Sequence, residues 1–554
     1  MTTAQIKYQD SDEVDFVIVG SGAAGGVLAK ALSTNGFRVV VLEQGPYLRQ
    51  SDLVHDEIKV LQEDLLTNHP VLQPGTFRKT AQEKAIPQRV AAYGRCVGGT
   101  SVHFTANYWR FHEIDFVERS RVGAIPGTGL ADWPISYADL EPYYTKVEWE
   151  IGVSGLAGSS PFDPPRTKAY PMPPLPVKSS GVIFERGARK LGWHPYPAPM
   201  AILSQPRSGR SACVHCGFCY GFGCEVGAKS SALASVIPMA ERTGRCEIRP
   251  NAYVHRIEVD ATGRVIGAAY FDEHKKTHLQ RAKAVIVSAN GAETPRLLLL
   301  SASKHFPDGL ANSSGLVGKY LMFNTSARSV GLFEEPLNDY KGFATSRVLH
   351  DFYELDARKV GFYGGGGLDA RFDYTPYFFA MTGLPPDTPR WGQGLKRDLS
   401  HNFVRTMEIH SGGTSLPLET NSFSLDPNLK DAWGLPALRL TYKDHPDDVK
   451  SIHWLNDRAM DIFDAAGAVK KWSRPISEQQ FGVHLLGTCR MGDDPKTSVI
   501  NPDHRAHDVK NLFLCDGSSL VTSGRGQPTM TIQALAYRAA DRITALAKRG
   551  DLAS

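Results

Sequence analysis

No stretch of this 554-residue chain comes near the ~20 consecutive apolar residues that a membrane helix needs. Its start, Met1–Glu13, has no apolar segment of the kind a secretory leader carries, so no signal peptide of its own is expected. Neither charge is in excess. The 62 basic and 58 acidic side chains leave +4, with no basic run or tail, which argues against nucleic acid and against a membrane surface as partners. There is no internal repeat and no low-complexity tract. Cysteine is sparse at eight residues, yet four of them crowd between Cys213 and Cys224. Scattered thiols in a protein this long are ordinarily buried; four in one short loop need another explanation. The 42% hydrophobic content suffices for a sizeable core, and the length implies two domains or one large discontinuous one.

What is present is organised around Phe16–Gly26. Phe16 to Val19 reads as a buried strand, and Gly20-Ser21-Gly22-Ala23-Ala24-Gly25 is a G-x-G-x-x-G turn. Val27 to Ser33 is compatible with a helix, and Arg38 to Leu42 is a second strand ending at Glu43. Gly20 permits the tight turn, Gly22 lets a pyrophosphate approach the backbone, and Gly25 lets helix and strand pack closely. The helix N-terminus then offers free N–H groups to phosphates. Glu43 is placed to accept from a ribose 2′-OH and would repel a 2′-phosphate, which favours FAD or NAD over NADP.

Gln44-Gly45-Pro46 ends the second strand, and Ser51–Thr67 is charged with helical spacing. Gly94-Arg95-Cys96-Val97-Gly98-Gly99-Thr100-Ser101-Val102-His103-Phe104 pairs two glycines with two hydroxyls. That is either a second close-approach site for a flat or anionic ligand or a capped tight turn. Ser136 is an N-cap for a helix to about Gly152, and Gly155–Pro176 is a Gly/Ser/Pro-rich loop. Cys246–Ser288 alternates as a β-meander and leads into Val285–Leu300, where Thr294-Pro295 is expected to open an apolar helix. From 330 to 478, short alternating strands such as Arg405–His410 and Ala437–Tyr442 predict a largely antiparallel sheet able to floor a substrate pocket. Pro446–Ala466 reads as a helix.

The cysteine loop has the spacing C-x2-C-x2-C-x4-C through Cys213, Cys216, Cys219 and Cys224. Interleaved glycines let such a loop wrap a metal centre. The nearest pattern is the ferredoxin C-x2-C-x2-C-x3-C run, from which this differs by one residue and by lacking the following proline. An iron–sulfur cluster, [3Fe-4S] or [4Fe-4S], is the leading expectation; structural zinc and disulfides or inert thiols stay open. The C-terminal segment carries His484-Leu-Leu-Gly487-Thr488, then Asp516-Gly517, then Gly526-Gln527-Pro528-Thr529-Met530-Thr531 leading into a helix with Pro528 at its first position. The positive end of that helix favours an anion, such as a reduced flavin.

Together these motifs resemble the glucose–methanol–choline (GMC) oxidoreductase family over nearly the whole chain. The resemblance implies an α/β fold: a Rossmann-like FAD-binding domain from discontinuous segments (12–115, 210–329 and 480–549, with the cysteine loop) and a mainly antiparallel-sheet substrate domain (116–209 and 330–479). It implies FAD against Gly20, Gly22, Ala23, Ala24, Gly25, Glu43, Gln44, Arg95, Gly98, Gly99, Thr100, His103, Phe104, Val254, Ala289, Asp516, Gly517, Pro528, Thr529 and Met530. His484 becomes the base that takes the substrate hydroxyl proton as hydride leaves for flavin N5. The family's second catalytic position, usually His or Asn, is Gln527 here, which keeps the amide donor one methylene further out. His103 falls where some members link flavin covalently and others hold an unlinked histidine. The cysteine loop is similar to that of bacterial gluconate, sorbitol, FAD-glucose and glucoside 3-dehydrogenases. Those pass electrons to a cytochrome-type acceptor and often work with a small partner subunit that can carry the export signal. A cytoplasmic location, or a periplasmic one by co-export, follows from that. Two rivals remain at this stage: an oxygen-using sugar or alcohol oxidase with a structural cysteine loop, and a flavin-binding electron-transfer subunit with no substrate of its own. A sugar, glycoside or polyol is the first substrate class, with non-sugar alcohols as the alternative.

Overall fold

A computed structural model describes residues 7–552; Met1–Ile6, part of the segment expected to lack a leader, lie outside the described residues. The strand Val14–Val19 runs parallel to Val39–Leu42 on one side and to the second half of Thr277–Val287 on the other. Cys246–Arg249 and Leu512–Leu514 extend this parallel core at its two ends. Val39–Leu42 and Leu512–Leu514 are continuous apolar runs, as strands covered on both faces are. Val27, Leu28 and Leu32 of the helix Ala23–Thr34 are buried in the same core as Leu535, Ala539 and Ile543 of the helix Thr529–Arg549. The expected meander is present: Tyr253–Val259, Val265–Phe271 and Thr277–Val287 pair antiparallel.

A second sheet is antiparallel throughout. Its order is Lys470–Ser473, Ser326–Leu332, Thr406–Gly413, Gly366–Arg371, Thr345–Leu349, Tyr196–Pro197. Alternation along its strands sorts two chemistries onto two faces. Ala327, Leu368, Ala370, Met407 and Ile409 pack against Ile452, Leu455, Ala459, Ile462 and Phe463 of the helix Pro446–Ala466. The intervening residues Arg328, Asp369, Arg371, Glu408 and His410 belong to the other face. Among the described residues, no helix is long and apolar enough to cross a membrane.

Four sequence expectations need correction. Ser51–Thr67 forms only a 3-10 turn at Gln50–Asp52 and a π turn at Ile58–Gln62, and the Glu57 carboxylate accepts from the Tyr377 and Phe378 amides. Ala437–Tyr442 does not join the antiparallel sheet: the strand Pro436–Thr441 pairs in parallel with Gly75–Arg78 in a separate four-stranded sheet. The apolar helix begins at Asn290, so Pro295 lies inside it rather than in its first turn. The carbonyl of Gly291 that Pro295 cannot serve accepts instead from Thr488 Oγ1 at 2.7 Å. Pro528 is the N-cap of the last helix, one position before the expected place.

Candidate active site

A cavity of about 680 Å³ runs from the N-terminal glycine turn to the charged face of the antiparallel sheet. At its dinucleotide end, Gly20 has φ +93°, and a Cβ there would lie 2.5 Å from the Ser288 carbonyl oxygen. Gly99 has φ +55°, and its Cβ would come within 2.8 Å of Gly22 Cα. The two glycine loops therefore meet backbone to backbone, which no side chain permits. The helix starting at Ala23 has neither a side-chain cap nor an acid in its first turn, and the same holds at Thr529. With both starts on the cavity wall, two sets of free N–H groups face one ligand space. Glu43 accepts from Ser21 N (3.1 Å), Ser21 Oγ (2.7 Å) and Gly45 N (3.0 Å) while still lining the cavity. Burial raises its carboxyl, and these donors act against that rise.

Gly20, Gly22, Ala23, Ala24, Glu43, Gln44, Gly99, Thr100, His103, Phe104, Val254, Ala289, Asp516, Gly517, Pro528 and Thr529 all line this one cavity, together with His484 and Gln527. Gly25, Arg95, Gly98 and Met530 do not. Gly25 packs against the Gly20 carbonyl, Arg95 lies over the Trp433 ring, Gly98 N donates to Ser21 Oγ at 3.0 Å, and Met530 is fully buried in the core. They shape the wall from behind.

The wall also carries unmet polar atoms. Both amide atoms of Asn107 and Nε2 of His103 are buried, face no protein partner and belong to cavity-lining residues. Such orphans need a ligand with its own donors and acceptors, and the edge of a flavin ring has both. The residues present thus fit FAD along the whole cavity. Burial, with the Lys229 charge, pushes His103 down to about 4, so its ring is neutral.

At the reacting end, His484 Nδ1 lies 3.1 Å from Asn324 Oδ1. The amide orientation of Asn324 is fixed because Nδ2 donates to the carbonyls of Gly413, Ser523 and Gly524 at 3.1–3.2 Å. Oδ1 must therefore accept, Nδ1 of His484 carries the proton, and Nε2 keeps its lone pair. Burial pushes His484 down to about 4, helped by the nearby His410 and Arg371 charges. A neutral imidazole with a committed Nδ1–H is the form a general base requires.

Asn324 and the charged sheet face were not singled out from the sequence. On that face His410 stands directly between Arg328 and Asp369 in the strand register. Its Nδ1 is 3.2 Å from Asp369 Oδ2. Arg371 also holds Asp369, and Arg328 holds Glu408 at 2.6 Å. Burial alone would raise the Asp369 carboxyl; Arg371 and His410 outweigh it and hold it well below the usual range. The available signal was the alternation of Thr406, Glu408 and His410 with Met407 and Ile409.

Two family profiles, both described as GMC oxidoreductase, match residues 14–323 and 417–536. This chain is a GMC oxidoreductase. It is 35% identical to 2-methyl-1,2-propanediol dehydrogenase of Mycolicibacterium austroafricanum, with 96% of each chain covered. It is 32% identical to the fructose dehydrogenase large subunit of Gluconobacter japonicus, covering 97% of this chain and 98% of that one. The gluconate 2-dehydrogenase flavoprotein of Pantoea cypripedii is 29% identical over 96% and 93%. A solved formate oxidase shares the fold at TM-score 0.68 and 16% identity, covering 98% of this chain and all of that one. This GMC oxidoreductase is accordingly an FAD-dependent enzyme that oxidises alcohols or sugars.

The cysteine loop of this GMC oxidoreductase adjoins the same cavity. Tyr220 and Gly221 line it, and Gly221 N donates to the His103 carbonyl at 3.0 Å. The buried Lys229 ammonium donates to the carbonyls of Phe104 (2.9 Å), Cys219 (2.9 Å) and Phe222 (2.7 Å), tying the loop to the cavity wall. All eight cysteines are free thiols. Burial raises Cys213, Cys216 and Cys219, the last to about 12. Backbone N–H groups of His215 and Lys229 point at Cys213 Sγ (3.4 Å) and Cys224 Sγ (3.5 Å). Among the described residues the one tight ligand group is His55, Cys216 and Glu225, whose donor atoms lie within 4.8 Å of one another.

Proposed function

We propose that the chain oxidises a carbinol carbon of a sugar, glycoside or polyol, with His484 as the base. The observation that carries this is the Asn324–His484 pair, which leaves an unprotonated Nε2 facing the cavity beside a polar sheet face. Bound in the cavity, FAD supplies the hydride acceptor. The chain's own part is to receive the substrate hydroxyl proton at His484 Nε2 and to orient that hydroxyl with the Gln527 amide on the cavity wall. A positioned base contributes about 10²–10⁴-fold. The three relatives named above are a diol, a sugar and a sugar-acid dehydrogenase by name, which supports a hydroxyl-rich substrate.

We further propose that Cys213, Cys216, Cys219 and Cys224 hold an iron–sulfur cluster through which electrons leave for a cytochrome-type acceptor, with a small partner subunit. What supports a cluster over zinc is the C-x2-C-x2-C-x4-C spacing, one residue from the ferredoxin run. The two N–H···S contacts also suit cluster sulfurs. An anaerobic screen for flavin bleaching by sugars and polyols, with iron and sulfide assays on the same preparation, tests both statements. Flavin bleached by a polyol and iron with sulfide in cluster ratio are expected. No bleaching, or no iron, refutes the respective part. Hydrogen peroxide formation without an added acceptor would instead favour the oxidase reading, for which Streptomyces fradiae paromamine 6'-oxidase, 28% identical, is a named relative.

A further inference from the structure

Lys229 lies in the partition between the cavity and the cysteine loop, and a short backbone ladder places it there. Ala201 N donates to the Ala106 carbonyl at 2.9 Å, beside the cavity-lining Asn107. Ser230 N donates to the Ala201 carbonyl at 2.8 Å and Leu203 N to the Ala228 carbonyl at 2.9 Å. Cys213 N closes the set on the Leu203 carbonyl at 2.9 Å. One ladder therefore joins the cavity wall to both ends of the cysteine loop, with Lys229 buried within it at 2% exposure.

The side chain then crosses the partition. Its Nζ meets the carbonyl of Phe104, which lines the cavity, and those of Cys219 and Phe222 on the loop. Three acceptors at 2.7–2.9 Å call for three N–H donors. A neutral amine has two, and would turn its lone pair toward the third carbonyl, so the group is an ammonium. All three partners are uncharged. Glu225, the carboxylate of the same loop, faces His55 Nε2 at 2.8 Å instead. A buried cation held by neutral dipoles keeps its field, since no ion pair closes it and little water screens it.

That field falls mainly on the loop. Two of the three carbonyls are the loop's own, and the Lys229 backbone N–H points at Cys224 Sγ at 3.5 Å. A fixed positive charge thus stands where negative charge collects when electrons enter the cysteine-held centre.

We propose that Lys229 is the positioning residue for electron exit: its permanent charge makes the centre held by the cysteine loop a better electron acceptor, and its three bonds hold that loop against the flavin wall. The inference rests on the cluster reading and adds the group that drives electrons toward it. The substrate hydride brings two electrons and one proton to the cavity. The electrons cross one at a time, each adding one negative charge beside the ammonium, and the proton goes to solvent. A one-electron acceptor of the cytochrome type then removes each electron and restores the centre. No bond to Lys229 forms or breaks.

The test is an anaerobic stepwise titration of the FAD-loaded enzyme with dithionite, with flavin followed by absorbance and the centre by low-temperature EPR. Wild type is compared with Lys229→Met, which keeps length and removes charge and donors, and with Lys229→Gln, which is neutral but keeps two N–H donors. FAD, iron and sulfide are measured on every preparation. One unit charge at close range in a partly dry partition shifts an electron equilibrium by about 10–100-fold, and flavin on the far side feels part of it. The share of electrons on the centre relative to flavin should therefore fall about tenfold in both variants at equal iron content. In the wild type the centre should fill no later than the flavin. A wild-type distribution in Lys229→Met overturns the proposal. Full recovery in Lys229→Gln also overturns it, because it leaves a tether with no electrostatic part. Should both variants fail to fold, the wild-type titration still decides: flavin taking both electrons before the centre takes any refutes the inference. Absence of iron and sulfide from the wild type is a different failure, that of the cluster reading itself.

Discussion

Replacing Asn324 separates orientation of the base from its protonation. Asn324 sits at φ +60°, a conformation asparagine tolerates and alanine does not, so glycine is the clean deletion. Asn324→Gly removes one bond to His484 and the two Nδ2 donors shared among three backbone carbonyls. At about 0.5–1.5 kcal/mol net for each of these bonds, less roughly 1 kcal/mol of relieved backbone strain, the loss of stability is on the order of 2 kcal/mol. The freed imidazole samples both tautomers and several orientations, and a mis-aimed base forfeits part of its ~10²–10⁴-fold contribution. Flavin reduction should slow by about 10²-fold with FAD still bound. Asn324→Asp keeps the acceptor but adds a charge beside a ring now pushed down to about 4. An adjacent carboxylate favours imidazolium and raises that value by about 1–3 units. The base works only when neutral, so the rate falls as pH drops through this value, and the acid limb of the profile should move from near 4 toward neutrality. Stopped-flow flavin reduction between pH 4 and 9 (an assay range of about five units) reads both effects. A wild-type rate in Asn324→Gly, or an unmoved acid limb in Asn324→Asp, would refute the assigned tautomer and its cause.

Three further outcomes are expected. Gly99→Ala places a Cβ 2.8 Å from Gly22 Cα at φ +55°, so the two loops must part and the flavin-to-protein ratio on purification should fall. On the proposed cluster assignment, Cys219→Ser should abolish iron and sulfide binding and slow reduction of a one-electron acceptor, while the first flavin reduction stays within a few-fold. His103, His484 and His504 are each pushed to about 4, mainly by burial, whereas unfolded histidine titrates near 6.5. Between those values the unfolded chain binds more protons, so this contribution to stability is lost as pH falls from about 6.5 to about 4. The loss is about 3 kcal/mol per histidine, readable as a declining urea midpoint.

The dinucleotide end was legible because close backbone approach leaves its mark in sequence: Gly20 and Gly99 stand where a Cβ would collide, and Glu43 ends a strand beside them. His484 was legible through its motif. Asn324 was not, since its role depends on carbonyls almost 90 and 200 residues away that only the fold brings together. Asp369 and His410 were hidden for a related reason. Their strands are buried on both faces, so a charged residue there reads as a break in a core strand until its partner across the ladder is known. The charged spacing of Ser51–Thr67 misled because part of it serves a contact far along the chain: Glu57 accepts from the start of the helix Pro376–Thr382.

The most direct measurement is anaerobic single-turnover flavin reduction by a polyol in wild type and in His484→Ala, on preparations with equal FAD content. Reduction in the wild type and its near-complete loss in the variant, at unchanged flavin occupancy, is the predicted result. A variant that bleaches at the wild-type rate would contradict it.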